Sequence, residues 1–208
     1  ISDNKSSDNT SSDNISAVNI VDNKYKPKNR YELKELLKDE NIKLDTIDVS
    51  LIKNLSYIFK GTNRKDFEGI ESWNVPLLVE ADGARMLPLK VPGEQEPVLL
   101  PQTTHVFSVY GMDALDQKLE EICFRSEKAA ELLGKQPEDQ VTEEDIIKLA
   151  CHEQGGRKGC PKQAEYIVVL NKADTKERRN RACKIAKCLY ENGIKNILKV
   201  AILLSIWK

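Results

Sequence analysis

The chain has 208 residues, which is enough for one domain with a substantial hydrophobic core. Its 32 lysines and arginines are balanced by 33 aspartates and glutamates. This balance argues against a nucleic acid as the main partner, because a phosphate-binding face normally gives a basic excess. The longest nearly apolar run, "VAILLSIW", is far shorter than the roughly 20 residues that cross a bilayer, so we expect no membrane partner.

The cysteine content bears on the cellular compartment. Five cysteines are an odd number with no even framework of pairs, which is typical of free thiols in a reducing, cytoplasmic environment. The sequence shows no charged start followed by an apolar stretch, so it predicts no signal peptide. Because the first residue is Ile1 rather than methionine, we expect the chain to be part of a longer open reading frame.

The first segment of the chain has low complexity. The unit Ser-Asp-Asn recurs at residues 2–4, 7–9 and 12–14. Such a segment buries too little apolar surface to offset the entropy of ordering it. We therefore predict a disordered segment over residues 1–24, with a binding tail as the alternative, and a single α/β domain over residues 25–208.

Short helices are predicted between residues 30 and 60. The stretch "RYELKELLKDE" has apolar residues at near-helical spacing. A second helix over residues 51–58 is predicted to begin at a cap formed by Asp48 or Ser50. Both apolar stripes are better explained by core packing than by docking of a partner.

From residue 75 the pattern alternates between strands and helices. Helices are predicted over residues 114–133, after Thr142, and over residues 175–192, where Gly193 would end the helix. Continuous aliphatic strands that are separated by helices favour a parallel sheet and an α/β fold. The predicted strands are Val75–Val79, His105–Tyr110, Tyr166–Leu170 and Asn196–Leu204.

Acidic residues follow the first predicted strand directly. In open parallel sheets, ligands bind at the carboxyl ends of the strands. Glu80 and Asp82 lie there, and an acid after an aliphatic strand resembles a Walker B element that holds Mg²⁺ through water near a phosphate. Two neighbouring acids in a crevice also favour a cation or a proton. Gly83 would let the backbone turn close to a ligand, although a strand that simply ends at an Asp-Gly turn is the alternative.

The stretch "VVLNKAD" gives the sharper signal. Asn-Lys-x-Asp after an apolar strand matches the base-recognition element of GTP-binding proteins. Asp174 would accept two N–H bonds from guanine, Asn171 would support the purine edge, and the stem of Lys172 would lie over the base. The alternative is a polar loop in which Asp174 or Thr175 caps the next helix.

Other motifs carry less information. No G-x-x-x-x-G-K-[ST] phosphate loop occurs in the sequence. The glycine-rich "QGGRKGCP" at residues 154–161 could bind an anion, but it precedes a strand, so a basic surface turn is the alternative. A zinc site at Cys151, His152 and Cys160 is disfavoured because no C-x₂₋₄-C pair is present.

Several motifs together resemble a known family. "VEADGA", "LPLKVPGEQEP", "GMDAL" and "LNKAD" occur in this order over about residues 75–200, as in the YqeC-type proteins, which are described as accessory proteins of selenium-dependent molybdenum hydroxylases. The resemblance implies an α/β, parallel-sheet, P-loop NTPase-like three-layer fold. It also implies a glycine-rich phosphate loop before the start of this chain, so that the fold would be N-terminally incomplete.

The resemblance also assigns individual residues. Asp82 falls on the Walker B-like acid, and residues 171–174 fall on the base-recognition loop. Lys90, taken as a nucleotide-binding residue, and Glu96 fall in the "LPLK.P…EP" segment. The family often has a histidine just before that Glu-Pro pair, where this chain has Gln95.

Three hypotheses for function follow. In the first, the intact protein binds a purine nucleotide, GTP or ATP, with Mg²⁺ and couples its binding or hydrolysis to maturation of a selenium-dependent molybdenum hydroxylase. In the second, it is a non-catalytic interaction module that docks on the hydroxylase or its assembly factors. In the third, it is a nucleotidyl transferase or ligase on the same fold.

Overall fold

The computed structural model describes residues 18–64 and 66–201. These residues form two compact units with the boundary between Leu78 and Val79, whereas the sequence analysis treated residues 25–208 as one domain. Of the low-complexity segment 1–24, residues 1–17 lie outside the described residues, and Asn19–Val21 form a strand. No helix among the described residues is long and apolar enough to cross a membrane.

The first unit is built on a hairpin and one helix. Strands β1 (Asn19–Val21) and β2 (Lys24–Lys26) pair antiparallel. The predicted first helix is α1 (Arg30–Lys38), and the side chain of Asn29 caps it by accepting from the backbone N–H of Glu32. Its buried residues belong to a core with members from the following turns, namely Leu33, Leu36, Leu37, Ile42, Leu44, Ile47, Ile58, Ile70 and Trp73.

The predicted second helix over residues 51–58 is wrong, because turns occupy this stretch. The carboxylate of Asp48 accepts from the backbone N–H of Ser50 at 2.9 Å, which gives a local turn instead of a helix start. Tyr57 has a positive φ of 53°, which a right-handed helix does not allow. Local side-chain hydrogen bonds therefore outweigh the apolar spacing here.

The second unit contains two parallel sheets. β3 (Leu89–Lys90) pairs with β5 (Cys123–Phe124), and β4 (His105–Gly111), β6 (Glu165–Asn171) and β7 (Asn196–Lys199) form a three-stranded sheet in the order β4-β6-β7. Three of the four predicted strands are therefore present; the predicted end of the last, residues 202–204, lies outside the described residues. The α/β class with parallel strands is confirmed at this level, and the P-loop NTPase-like three-layer arrangement stays a prediction.

The helices of the second unit are α2 (Leu119–Ile122), α3 (Ser126–Leu133), α4 (Glu143–Cys151) and α5 (Lys176–Glu191). The start of α4 carries the predicted capping box between Thr142 and Asp145. Gly193, with a φ of 86°, follows the end of α5 as predicted. The predicted continuous helix over residues 114–133 is wrong: β5 interrupts it, and Arg125 has a left-handed φ of 66°.

The helices cover one face of the three-stranded sheet. Side chains on this face, such as Tyr110, Val168 and Leu170, share a buried core with α3, α4 and α5. The strand order β4-β6-β7 adds each new strand at the same edge of the sheet. Because connections between parallel strands are right-handed, their helices then lie on the same face. On the opposite face Phe107 and Val109 are 48 % and 54 % exposed.

The predicted strand Val75–Val79 is also wrong. These residues lie outside any strand, and Leu78 is 88 % exposed. An extended segment is a strand only when a neighbour pairs with its backbone, and no described strand does so here. Pro76 further lacks the N–H that a central strand needs.

Candidate functional site

A cavity of about 180 Å³ lies at the carboxyl ends of β4 and β6. It is lined by residues 84 and 86–90 on one side and by Val109, Gly111, Asn171 and Lys172 on the other. The two stretches that the sequence analysis singled out, after residue 80 and after β6, therefore meet at this edge of the sheet. Parallel strands bring their carboxyl ends to one edge, which explains the meeting.

Lys90 is the polar centre on the first side of the cavity. Its ammonium forms an ion pair with Asp82, lies 3.1 Å from Glu96 Oε2, and donates to the carbonyl of Gly83 at 2.8 Å. The side chains of Lys90 and Asp82 are only 10 % and 15 % exposed, so the pair is poorly screened by water. Asp82 thus pairs with Lys90, which also contacts Glu96. Glu80 is exposed and takes no part in this ion pair.

Glu96 extends this network away from the cavity. Its Oε2 lies 2.8 Å from Arg125 Nη1 and accepts from the backbone N–H of Gly93 at 3.1 Å. The hydrogen bond from Arg125, together with those from Gly93 and Lys90, lowers the pKa of Glu96 to about 2. Glu96 therefore stays ionised at neutral pH and holds Lys90 and Arg125 in place.

An aromatic ring supports the cations. The β3–β5 pairing sets Lys90 opposite Phe124, and the ammonium lies 5.6 Å from the ring centroid. The guanidinium carbons of Arg85 and Arg125 lie 4.4 and 4.3 Å from the same centroid. The face of an aromatic ring attracts cations, so Phe124 gathers three of them beside the cavity.

Lys172 is the polar centre on the second side. It has a left-handed φ of 58°, and its ammonium donates to Asp113 Oδ2 at 2.5 Å. The other oxygen, Asp113 Oδ1, is buried without a hydrogen-bond partner among the described residues. A Cβ on Gly111 would lie 2.5 Å from this oxygen and 2.6 Å from Pro88, so only glycine fits between them. The ammonium of Lys172 therefore has a defined position at the cavity. The hypothesis that its stem lies over a base stays a prediction.

Beyond Lys172, the predicted base-recognition loop lies only partly at the cavity: Asn171 is among the lining residues, whereas Asp174 is not. Asn171 lines the cavity, and its side chain accepts from the backbone N–H of Lys172 at 2.9 Å. Asp174 is exposed, and its carbonyl accepts from Arg179 at 2.6 Å. Thr175 caps α5 by accepting from the backbone N–H of Arg178, as one of the two alternatives for this loop predicted.

The glycine-rich segment 154–161 has a structural role. The ammonium of Lys158 donates to the carbonyls of Gly93 and Glu94, and the guanidinium of Arg157 lies 4.8 Å from the ring centroid of Tyr166. Both basic side chains therefore have partners within the fold. Lys158 ties this segment to the loop that presents Glu96.

Potential metal ligands are few at the site. No group of three or more His, Cys, Asp or Glu side chains within the described residues could hold a metal ion. Mg²⁺ usually keeps several waters and needs only one or two carboxylates beside substrate phosphates. Asp82, which is paired with Lys90, stays the predicted Mg²⁺ ligand. All five cysteines are free thiols, and burial raises the pKa of Cys123 to about 12.

Four residues near the cavity were not predicted from the sequence: Arg85, Asp113, Phe124 and Arg125. Asp113 contacts Lys172, and Phe124 lies near Lys90, only through tertiary contacts. Arg85 and Arg125 lie over the Phe124 ring, and Arg125 also pairs with Glu96. The one local signal was the dipeptide Cys123–Phe124, a strand-favouring pair that interrupts the helical spacing on either side.

Comparisons with known proteins agree with the motifs up to "GMDAL", and the family match ends before "LNKAD" at residues 170–174. The family model described as "YqeC protein" matches residues 7–127, more than half of the chain. This match begins well before the range of about 75–200 that the motifs suggested. An uncharacterized protein YqeC of Escherichia coli (strain K12) is 28% identical over 122 residues, which cover 58% of this chain and 48% of that protein. The chain thus spans about half the length of this curated relative, and no solved structure matches it. The chain belongs to the YqeC family.

Proposed function

We propose that the protein binds the phosphate of a purine nucleotide in the cavity between Lys90 and Lys172. The observation that carries this proposal is the convergence of two lysines from different elements on one cavity at the carboxyl ends of parallel strands. Carboxylates hold both ammonium groups in place before a ligand arrives. Preorganised cations bind a phosphate with little loss of side-chain entropy.

The size of the cavity fits one part of such a ligand. Its volume of about 180 Å³ is below the range of about 300–1,000 Å³ that holds whole drug-sized ligands. A phosphoryl group fits inside, and the nucleoside would lie outside, toward the loop that carries Asp174. Mg²⁺ would be held through water by Asp82 and by phosphate oxygens of the ligand.

The wider role is proposed from the resemblance of the motifs to the YqeC-type proteins. We place the protein as a nucleotide-binding accessory factor in the maturation of selenium-dependent molybdenum hydroxylases, with GTP or ATP as the nucleotide. A nucleotidyl transferase or ligase would use the same cavity. A different observation favours a non-catalytic interaction module, namely the exposed apolar side chains of Phe107, Val109 and Leu198 on one face of the sheet.

Calorimetric titration with GTP, ATP and CTP, with and without Mg²⁺, tests the proposal. We expect binding to the unaltered chain and its loss in Lys90→Gln, with Lys162→Gln as a control because Lys162 is exposed before the amino end of β6. Asp82→Asn should remove the Mg²⁺ dependence. Binding of no nucleotide would favour the interaction module. Released phosphate would indicate hydrolysis, and a nucleotidyl adduct would indicate transfer.

A further inference from the structure

Arg85 is a cation without an acidic partner among the described residues, and its two neighbours in the chain, Ala84 and Met86, line the cavity. Its guanidinium lies over Phe124, and no carboxylate of the described residues pairs with it. By contrast, Arg125 on the same ring is paired with Glu96, and Lys90 is paired with Asp82. Phe124 thus has three cations around it, whereas only two described carboxylates, Asp82 and Glu96, pair with them. One positive charge, that of Arg85, is not balanced by a carboxylate of the described residues.

The backbone holds Arg85 in this place at a cost. Arg85 and Met86 have positive φ values of 51° and 65°, and the N–H of Leu87 donates to the carbonyl of Ala84 at 2.9 Å. Positive φ at both central positions is what a type I′ turn requires, and Asn-Gly is the usual pair there. For residues other than glycine and asparagine, such as Arg85 and Met86, a left-handed conformation costs roughly 1–2 kcal/mol each. Backbone strain of this kind clusters at ligand sites.

The turn sets Arg85 beside the cavity. Its two neighbours, Ala84 and Met86, both line the cavity, and so does Lys90, which shares the Phe124 ring with Arg85. Met86 is 99 % exposed, so packing of its side chain does not explain the strained turn. The turn places the guanidinium of Arg85 over Phe124, next to Lys90.

We propose that Arg85 binds the second phosphoryl group of a polyphosphate ligand whose first phosphoryl group lies between Lys90 and Lys172. The inference rests on the proposed function and deepens it, because it selects nucleoside diphosphates and triphosphates over monophosphates. In a polyphosphate chain, the next phosphoryl group would extend from the first toward the turn that carries Arg85, whose neighbours Ala84 and Met86 line the cavity. Arg85 there offers a guanidinium whose fork of N–H donors matches phosphate oxygens.

Inorganic phosphate and pyrophosphate test the role of Arg85 without a nucleoside. We expect the unaltered chain to bind pyrophosphate more tightly than phosphate in calorimetric or phosphorus NMR titrations. Arg85→Gln should lower the affinity for pyrophosphate about tenfold or more, since it removes a charge-assisted hydrogen bond, and should leave the affinity for phosphate unchanged. Lys162→Gln is the matched control, and thermal unfolding of each variant verifies the fold.

The outcomes separate the two proposals. If Arg85→Gln retains the full preference for pyrophosphate while Lys90→Gln loses both ligands, the role of Arg85 is overturned and the cavity remains the phosphate site. If Arg85→Gln weakens phosphate and pyrophosphate equally, Arg85 contacts the first phosphoryl group and its assignment to the second is overturned. If the unaltered chain binds neither ligand, both proposals fail.

Discussion

The ammonium of Lys172 lies 2.5 Å from Asp113 Oδ2, although 59 residues separate the two in the sequence. This ion pair links the loop after β6 to the short helical turn after β4. It directs a lysine from a loop resembling a base-recognition element toward the cavity that Lys90 lines from the opposite side. The residues proposed to bind the phosphate and the base, Lys172 and Asp174, thus have separate positions, since only Lys172 lines the cavity.

The separation of these two parts can be measured. Lys172→Met should weaken GTP and CTP equally, about tenfold or more, because it removes a charge near the phosphate. Asp174→Ala should reduce only the preference for GTP over CTP, because the carboxylate would read the guanine edge. Calorimetric titration of both nucleotides against both variants gives the four affinities. An unchanged preference for GTP in Asp174→Ala would contradict the assignment of this loop to the base.

The close contacts around Gly111 predict that alanine substitution lowers the stability of the fold more at Gly111 than at Gly83. Gly111→Ala should destabilise the fold by about 1–3 kcal/mol, because its Cβ would clash with Pro88 and Asp113. Gly83→Ala should stay within about 0.5 kcal/mol, because its Cβ would meet only Glu80, at 3.6 Å. Urea unfolding of both variants makes the comparison. Equal losses would show that the close packing of β4 against Pro88 does not limit residue 111.

Glu96 predicts a dependence of stability on acid. Its pKa in the folded chain is about 2, below its ordinary value of 4.5, so its ionised form stabilises the fold above pH 4.5. This contribution is lost as the pH falls from 4.5 to about 2. The difference in unfolding free energy between the unaltered chain and Glu96→Gln should therefore be constant from pH 7 to 5 and shrink below pH 4.5. Urea unfolding at steps between pH 7 and 3 measures it, and a difference that grows in acid would contradict the ion pairs of Glu96.

Because one face of the sheet is uncovered, we expect alanine substitutions on its two faces to lower the unfolding free energy by different amounts. Leu170→Ala should cost about 2–5 kcal/mol, because Leu170 is fully buried against the helices. Phe107→Ala should cost much less than the 3–5 kcal/mol of a buried phenylalanine, because its side chain is 48 % exposed. Thermal or urea unfolding gives both values. A loss at Phe107 as large as that at Leu170 would show that this face is covered in solution.

The sequence by itself determined the elements whose signals are local. The β-branched and aromatic residues of β4, the aliphatic run of β6, the capping box at Thr142 and the helix end at Gly193 are all local signals. It also placed Asn171 and Lys172 at a strand end, and the family resemblance singled out Lys90; all three line one cavity. The family could be inferred from the order of its motifs.

Only the tertiary structure decided which apolar run becomes a strand and which partner each charge has. Val75–Val79 has strand-like residues but no described neighbour to pair with, whereas the two residues of β5 form a strand because β3 lies beside them. Asp82 has Lys90 as its partner rather than Glu80, and Lys172 has Asp113. Backbone pairing and ion pairs depend on distances through space, and spacing along a chain does not specify these distances until the sheet has formed.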